Sequence, residues 1–430
     1  MNGFLRGSLL AALSGIALAL ALAGCGGGGD DSNSPGASAP TAVVQPLPLP
    51  GPYAVACSNV VQDFSRVGAG EDVTNYWEGM PSDNGPRYVT DLLADPGNTL
   101  IATVKAPQDS DLYGDFAGQE VKFVVIVCYP TTADNPRPDY PLNPPQTDRV
   151  VKHMQTGSEA PLFADASFRY PVVAFSHGYM GSPISSDDYM LALSVCASYG
   201  YVVIAPFHGD LRFSNLKIDN LTIDDLRAFI DLGGIVTNFT AMQALRPLSI
   251  SAALDLVLAH PQWKDHIDET QIGGFGASVG GETMLLLGGA GLTTSYFDIG
   301  SSWKQVTHDP RIKAAVGYVP YFGQPILPAF GRDQHGLDGI NLPFLGISGT
   351  ADTTAPIIET KIGMSRLTGT RRLVALSGVE HGFDDASTND IFTWTLTFLD
   401  AEVRGDTEAI RRLSTTGCVA GGGDDSVWLY

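Results

Sequence analysis

From residue 171 onwards, apolar runs of strand length alternate with stretches of helical pattern. The runs are apolar almost throughout, rather than at every second position, and read PVVAFS, YVVIAPF, QIGGF, AAVGYV, FLGIS and RLVAL. Such runs predict strands buried on both faces, as in a parallel sheet covered by helices. We expect helices between them at Ser186–Tyr199, Ser249–His260, Glu282–Leu287 and Thr388–Val403. The sequence therefore predicts an α/β domain with a mostly parallel, doubly wound sheet.

A β-rich section precedes this alternation. Three runs rich in β-branched and apolar residues are separated by turns, and we expect antiparallel strands at Ala54–Val61, Thr99–Val104 and Val121–Tyr129. A polar, proline-rich loop follows at 130–146. The domain is therefore expected to open with an antiparallel section before its parallel part begins.

Two long segments interrupt the alternation at 211–246 and 289–308. Segments of that length without strand or helix pattern are usually functional, so both are predicted to be lid-like insertions. The second contains Tyr296, Phe297 and Trp303, which either pack beneath the loop or form the wall of an apolar substrate cleft. Under the second reading, Trp303 contacts the substrate.

The N-terminus has the pattern of an exported protein. Arg6 precedes an apolar run that is too short for a comfortable membrane span and ends in Leu-Ala-Gly-Cys at Cys25. This ending resembles the lipobox of bacterial lipoproteins, which implies a signal peptide at 1–24 and lipid attachment at Cys25. Residues 25–52 have the composition of a flexible tether, and 53–430 form the domain. By the sorting rule of that family, Gly26 implies the outer membrane; the alternative is an ordinary secretory signal.

Charge and cysteine content narrow the function further. The net charge of −21 argues against nucleic-acid binding, which needs lysine and arginine to replace counterions. In an oxidising compartment, Cys57, Cys128, Cys196 and Cys418 allow one or two disulfides with three possible pairings. Pairing Cys57 with Cys418 would tie together the two ends of the domain. Cys128 and Cys196 lie in apolar contexts, so both could equally be buried thiols.

A possible nucleophile lies in Gly276-Ala277-Ser278-Val279-Gly280, between the QIGGF strand and a helix. With 49 glycines among 430 residues, this G-x-S-x-G pattern arises readily by chance. In its expected setting, however, it resembles the nucleophile elbow of the α/β-hydrolases, in which a sharp turn exposes a serine hydroxyl. The resemblance covers about residues 120–403 and implies the α/β-hydrolase fold, with Ser278 as the nucleophile.

The resemblance also implies the order serine, acid, histidine along the chain. Among the later histidines, His381 follows the RLVAL strand, where the family has its base, whereas His308 and His335 lie in polar loops. Asp352 follows the FLGIS strand in a Gly-x-x-Asp turn, as the acid does in family members. It would hold the tautomer of His381. The rival carboxylates are Asp338, Asp384 and Asp385.

Acyl transfer also needs two backbone donors for the oxyanion. The amide of Val279, directly after the nucleophile, is the first. Ser176-His177-Gly178-Tyr179 follows the PVVAFS strand and resembles the H-G-x turn of esterases and lipases, which implies the amide of Tyr179 as the second. The same position implies that Tyr179 also contacts the substrate. His177 is expected to brace this turn rather than to react.

The sequence is most similar to bacterial platelet-activating-factor-acetylhydrolase-like esterases and, less closely, to polyester hydrolases and cutinase-like lipases. The resemblance implies a serine esterase with no metal or organic cofactor and with an apolar acyl or aromatic ester as substrate. Ala277 and Val279 depart from the polyester-hydrolase pattern around the serine. Polymer hydrolysis, lipase activity, acyl transfer and a non-catalytic surface binding lipoprotein are the alternatives.

The acidic run at 109–115 invites a calcium-binding interpretation, because its carboxylate oxygens could converge on one ion. The run lacks the ligand spacing and terminal glutamate of an EF-hand. We therefore expect a solvated acidic turn there.

Overall fold

A mixed sheet of eleven strands forms the centre of the protein. The computed structural model describes residues 40–58, 92–141, 150–155, 157–184, 187–214, 233–296, 301–324 and 327–430. The strands are β1 (Ala42–Val44), β2 (Ala54–Ser58), β3 (Ile101–Lys105), β4 (Glu120–Thr131), β5 (Tyr140–Pro141), β6 (Val150–Val151), β7 (Met154–Gln155), β8 (Tyr170–Ser176), β9 (Val202–Pro206), β10 (Ile267–Ala277), β11 (Gly291–Thr293), β12 (Trp303–Gln305), β13 (Ile312–Tyr318), β14 (Phe344–Gly349), β15 (Arg371–Leu376), β16 (Thr416–Val419) and β17 (Asp425–Leu429).

Six neighbouring strands run parallel, in the order β9-β8-β10-β13-β14-β15. β17 continues the sheet antiparallel to β15, and β4 continues it antiparallel to β9 at the other end. The chain passes from β8 to β9 on one side and then to β10 on the other side of β8. Ligand sites in such sheets form at the carboxyl ends of strands beside this reversal. The predicted mixed α/β architecture with a mostly parallel central sheet is confirmed.

Helices cover both faces of the sheet. They are α1 (Ser110–Tyr113), α2 (Asp187–Ser198), α3 (Gly233–Ala259), α4 (Val279–Leu287), α5 (Ile357–Arg366), α6 (Thr388–Glu402) and α7 (Thr407–Thr415). Single turns of 3-10 helix occur at Gly114–Phe116, Asp210–Arg212, Lys264–His266 and Asp385–Ser387, and a longer one at Arg332–Leu337.

The sheet separates two apolar cores, one beneath α3 and α4 and the other beneath α2 and α6. Successive residues of β4 show the division, because side chains alternate between the faces of a strand. Val125 and Val127 join the first core, whereas Val124 and Ile126 join the second. A strand buried on both faces must be apolar at nearly every position, which is why the sequence runs lack the two-residue alternation.

Helix α3 starts at Gly233 rather than at the predicted Ser249. The predicted lid-like insertion at 211–246 is therefore wrong for its second part, which is the first half of a core helix. Residues 215–232 of that insertion lie outside the described residues. Residues 238–259 are long and apolar enough to span a membrane, but 67% of the apolar window is buried inside the protein, as in a core helix.

The second predicted insertion, 289–308, contains a small antiparallel sheet formed by β11 and β12. Tyr296 is buried there and its hydroxyl lies 3.3 Å from Thr240 Oγ1 of α3, so this aromatic residue packs beneath the loop. Phe297 lies outside the described residues.

The antiparallel opening section is present, with β2 and β3 both pairing with β4. A disulfide joins Cys57 of β2 to Cys128 directly opposite on β4. The pairing of Cys57 with Cys418 is therefore wrong, and Cys128 is not a buried thiol. Cys196 is a buried free thiol, as one reading of the sequence predicted.

The tether predicted for 25–52 ends earlier than expected. Strand β1 pairs in parallel with β16, and the amide of Leu47 donates to Thr393 Oγ1 at 2.9 Å. Gly51 also packs closely, since its amide donates to Ser198 Oγ at 2.8 Å. These residues therefore belong to the domain. The predicted signal peptide and Cys25 lie outside the described residues.

Candidate active site

Ser278 lies at the turn between β10 and α4. Its backbone has φ 54° and ψ −121°, a conformation that costs a residue with a side chain about 1–3 kcal/mol. The two flanking glycines make the turn possible. A Cβ on Gly276 would lie 2.0 Å from the Gly280 oxygen, and a Cβ on Gly280 would lie 2.0 Å from the Ser176 oxygen. The turn therefore tolerates no side chain at either position, which explains the glycine spacing of the motif.

Three side chains from three strand ends form a continuous hydrogen-bonded relay. The Nε2 atom of His381 lies 3.0 Å from Ser278 Oγ, and its Nδ1 lies 2.8 Å from Asp352 Oδ2. The carboxylate of Asp352 can only accept, so Nδ1 carries the hydrogen and Nε2 presents its lone pair to the serine hydroxyl. The Asp352 side chain is fully buried, whereas that of His381 is 25% exposed. Solvent therefore reaches the relay at the His381 imidazole.

The loops that carry Asp352 and His381 are joined by backbone contacts. The second carboxylate oxygen of Asp352 accepts the amides of Thr354 and Ala355 at 2.9 and 2.8 Å, which fixes its orientation. The amide of Ala351 donates to the Val379 oxygen at 3.0 Å. Tyr318, at the end of β13, donates its hydroxyl to the Gly382 oxygen at 2.5 Å. The geometry of Asp352 and His381 is thus set by the surrounding chain.

The rival residues have other contacts. His308 Nδ1 lies 3.2 Å from the Gly288 oxygen, and His335 pairs with Asp338 at 2.7 Å on the surface. Asp384 accepts the amide of Ser387 at 2.9 Å and so caps the turn before α6, while Asp385 is exposed in that turn. The relay described above includes none of these five side chains.

The two predicted oxyanion donors belong to backbone segments next to Ser278. Val279 is the first residue of α4, where amides have no acceptor within the helix. A Cβ placed on Gly178 would lie 3.5 Å from the Ser278 Cβ, so the turn after β8 packs against Ser278. The peptide that joins Gly178 to Tyr179 is part of this turn. Both backbone segments therefore adjoin Ser278.

A buried ion pair that no local sequence pattern indicates lies beneath the turn after β8. Arg246 of α3 donates to the oxygens of His177 and Gly178 at 2.7 and 2.9 Å. It also forms a bidentate pair with Asp210, at 2.9 and 2.5 Å, and both side chains are almost completely buried. Asp210 Oδ2 in turn accepts the amide of Met180 at 2.9 Å.

His177 stabilises the turn after β8 through hydrogen bonds, which is the role that the sequence predicted for it. Its Nε2 accepts the backbone amide of His208 at 3.2 Å, so its Nδ1 carries the hydrogen and donates to the Gly178 oxygen at 2.8 Å. Complete burial, together with the charge of Arg246, lowers the pKa of His177 to about 3. The ring is therefore neutral at ordinary pH, as this arrangement of one donor and one acceptor requires.

Four buried polar side chains of α3 recur at every third position: Thr240, Gln243, Arg246 and Ser249. Residues three apart lie on one face of a helix. Each is buried, and each has a hydrogen-bonding partner outside α3. This T-x-x-Q-x-x-R-x-x-S spacing is a signal that could have identified both the helix and its role.

Glu282 lies in the first turn of α4 and is completely buried. Its Oε1 accepts from Gln243 Nε2 at 2.7 Å. Among the described residues, Glu282 Oε2 and Gln243 Oε1 have no hydrogen-bonding partner. Burial raises the pKa of Glu282 to about 8, against a smaller opposing effect of Gln243 and of the Arg246 charge. The carboxyl is therefore protonated at neutral pH.

Trp303 is not joined to the relay by any contact that we find among the described residues. Its ring covers Gly291 and Gly331, and the residue is 45% exposed. The ring of Tyr179 packs edge-on against Phe239 at 5.6 Å. Its predicted role towards substrate stays a prediction, as does that of Trp303.

The acidic run at 109–115 pairs with a lysine. Asp109 caps α1 by accepting the amide of Asp111 at 3.0 Å, and both carboxylates form ion pairs with Lys304 at 2.9 and 2.7 Å. The calcium interpretation has no support here. Across the described part of the chain, no group of three or more histidine, cysteine, aspartate or glutamate side chains could hold a metal ion.

No family model matches the chain, and no curated protein matches it significantly.

Proposed function

We propose that this protein is a serine hydrolase of the α/β-hydrolase fold that cleaves carboxylic esters. The observation that carries the proposal is the relay from Ser278 Oγ through His381 to Asp352, with distances of 3.0 and 2.8 Å. Nucleophile, base and orienting acid in this geometry are the requirement for activating a serine hydroxyl. The strained backbone of Ser278 gives independent support, because such strain persists mainly where function needs it.

In the proposed reaction, Ser278 Oγ attacks the ester carbonyl while His381 Nε2 takes its proton. Asp352 accepts a hydrogen bond from Nδ1 and so stabilises the imidazolium that forms. The amides of Val279 and Tyr179 donate to the oxyanion, a contribution that is commonly the largest single one in such reactions. His381 then protonates the leaving alcohol, which leaves an acyl group on Ser278. Water activated by the same histidine releases the acid and restores the hydroxyl.

The neutral state of two buried groups near Ser278, His177 and Glu282, favours this chemistry. His177 is neutral, and a protonated Glu282 places no negative charge in the first turn of the helix that supplies the Val279 amide. A negative charge at that position would oppose the developing oxyanion. The polar groups beneath the site therefore support the helix and the turn without opposing the charge that the reaction creates.

The proposal includes attachment of the protein to the cell envelope through a lipid on Cys25, as the N-terminal pattern predicts. Under this proposal the substrate is an ester with an apolar acyl or aromatic group. Metabolic labelling with a palmitate analogue tests the anchor: wild type should be labelled and Cys25→Ser should not. Equal labelling of both would overturn lipid attachment at Cys25.

Turnover of p-nitrophenyl esters tests the proposed reaction. Ser278→Ala should reduce kcat by roughly 10⁴-fold or more and leave the circular dichroism spectrum unchanged, because it removes only a hydroxyl. Ser365→Ala, which removes an exposed hydroxyl from α5, is the matched control and should retain full turnover. Turnover that survives in Ser278→Ala would overturn the assignment of the nucleophile.

A further inference from the structure

We propose that Arg246, held by Asp210, is the positioning residue that aims the Tyr179 amide at the oxyanion. The inference rests on the proposed function. It assigns a role to a residue that is on neither the strand nor the helix that flank Ser278. Arg246 is on α3, while the amide that it would position is in the turn after β8. Its guanidinium has four hydrogen bonds within this cluster, two to backbone oxygens and two to Asp210.

The planarity of the peptide links these contacts to the amide. The oxygen of Gly178 and the N–H of Tyr179 belong to one peptide unit, and in a trans peptide they point in opposite directions. Arg246 Nη2 and His177 Nδ1 both donate to that oxygen, at 2.9 and 2.8 Å. The oxygen is thereby turned towards the buried cation, so the N–H is on the opposite edge of the peptide. Rotation of this peptide would break both hydrogen bonds.

Asp210 fixes the other side of Tyr179. Its Oδ2 accepts the amide of Met180, which has a positive φ of 58°. Residues with a side chain rarely adopt this conformation, so the bond to Asp210 helps to hold it. The ion pair therefore holds the peptide before Tyr179 through Arg246 and the peptide after it through Asp210. A single charge could not do both.

A lysine cannot replace this arginine. The planar guanidinium donates in several fixed directions at once, whereas an ammonium group is a point charge on a flexible stem. Arg246→Lys keeps the charge beside Asp210 but loses the geometry that directs the two backbone oxygens. A positioning role thus predicts a loss of catalysis in a variant that keeps the ion pair.

The test measures kcat and KM for a p-nitrophenyl ester per active site, with sites counted by titration with a fluorophosphonate. Arg246→Lys should lower kcat about 10- to 100-fold, less than the complete loss of an oxyanion donor, and change KM less than threefold. The inhibition constant of an alkyl boronic acid, whose tetrahedral adduct places an oxygen at the oxyanion position, should rise by a similar factor. Loss of stability alone would change none of these values per titrated site.

Arg311→Lys is the matched control. Arg311 also forms a bidentate pair, with Asp309 at 2.9 and 2.6 Å, and it also contacts α3, through the oxygen of Ser251. It has no contact with the turn after β8 among the described residues, so kcat should stay within twofold of wild type. Equal kcat per site in Arg246→Lys and Arg311→Lys would overturn the positioning role.

A second variant covers the case in which Arg246→Lys does not fold. Replacing Arg246 by Met and Asp210 by Leu together removes both charges, so no uncompensated charge stays buried. The same loss of kcat is expected, and wild-type kcat in this folded variant would also overturn the proposal. Failure of the proposed function has a different result: wild type itself would neither hydrolyse the ester nor be labelled at Ser278.

Discussion

The buried carboxyl of Glu282 predicts a specific dependence of stability on pH. Because Glu282 has its pKa raised from 4.5 to about 8, the folded protein binds its proton more tightly than the unfolded chain does. Its contribution to stability is fully present below pH 4.5, decreases as the pH rises from 4.5 to 8, and is lost above pH 8. Each pH unit in that window should lower the free energy of unfolding by about 1.4 kcal/mol, or about 5 kcal/mol in total.

The structure supports a neutral carboxyl at this position on geometric grounds as well. A protonated Glu282 has an O–H donor, which can serve an acceptor such as Gln243 Oε1 in this buried cluster. The other groups that act on it are Arg246, which favours ionisation, and Tyr296 and Tyr321, whose pKa values burial raises above their ordinary range. Neither tyrosine therefore supplies a charge near neutral pH.

Glu282→Gln tests this prediction, because glutamine has the shape of the neutral acid and cannot ionise. The free energy of unfolding should be measured by urea denaturation from pH 5 to pH 8 for wild type and variant. The variant should gain about 1.4 kcal/mol relative to wild type with each pH unit. Glu269→Gln removes the same charge from an exposed position in β10 and should show no such trend. A pH-independent difference between wild type and Glu282→Gln would refute the reasoning.

Three further predictions concern the disulfide, the elbow and the acid. Replacing Cys57 and Cys128 together by serine opens a loop of 71 residues and should cost roughly 4 kcal/mol of stability in urea denaturation; an unchanged urea midpoint would contradict this. Gly280→Ala should lower both Tm and kcat, because its Cβ would lie 2.0 Å from the Ser176 oxygen, and a variant with wild-type kcat would show that the turn can relax. Asp352→Asn should lower kcat by about 10⁴-fold at unchanged Tm, since it reverses the hydrogen bond to the base; a decrease below tenfold would contradict its role.

The strands of the parallel sheet could be predicted because burial on both faces makes them apolar almost throughout. Ser278 and His381 could be placed because Ser278 directly follows such a strand and His381 lies in the loop after one. Helix α3 extends well before its predicted start, because Pro247 lies inside it and a proline in the sequence ordinarily indicates the end or the first turn of a helix. Arg246 and Asp210 could not be paired, because only the tertiary fold brings α3 beneath the turn after β8.

The cysteine pairing illustrates the same limit. The sequence left the disulfide pairing undecided because it allows three combinations. Which two cysteines can bond depends on which strands are neighbours in the sheet. The register between β2 and β4 decides the pairing, because Cys57 of β2 lies directly opposite Cys128 of β4. Sheet order is a property of the whole chain, and no local pattern around either cysteine reports it.

Labelling with a fluorophosphonate followed by peptide mass spectrometry tests the central claim most directly. The probe reacts only with a serine that a neighbouring base activates, so it reports the relay rather than the fold. Wild type should be labelled stoichiometrically on the peptide that contains Ser278, and His381→Ala should lose the label while remaining folded. A wild-type protein that stays unlabelled, or that is labelled elsewhere, would contradict the assignment of Ser278 as an activated nucleophile.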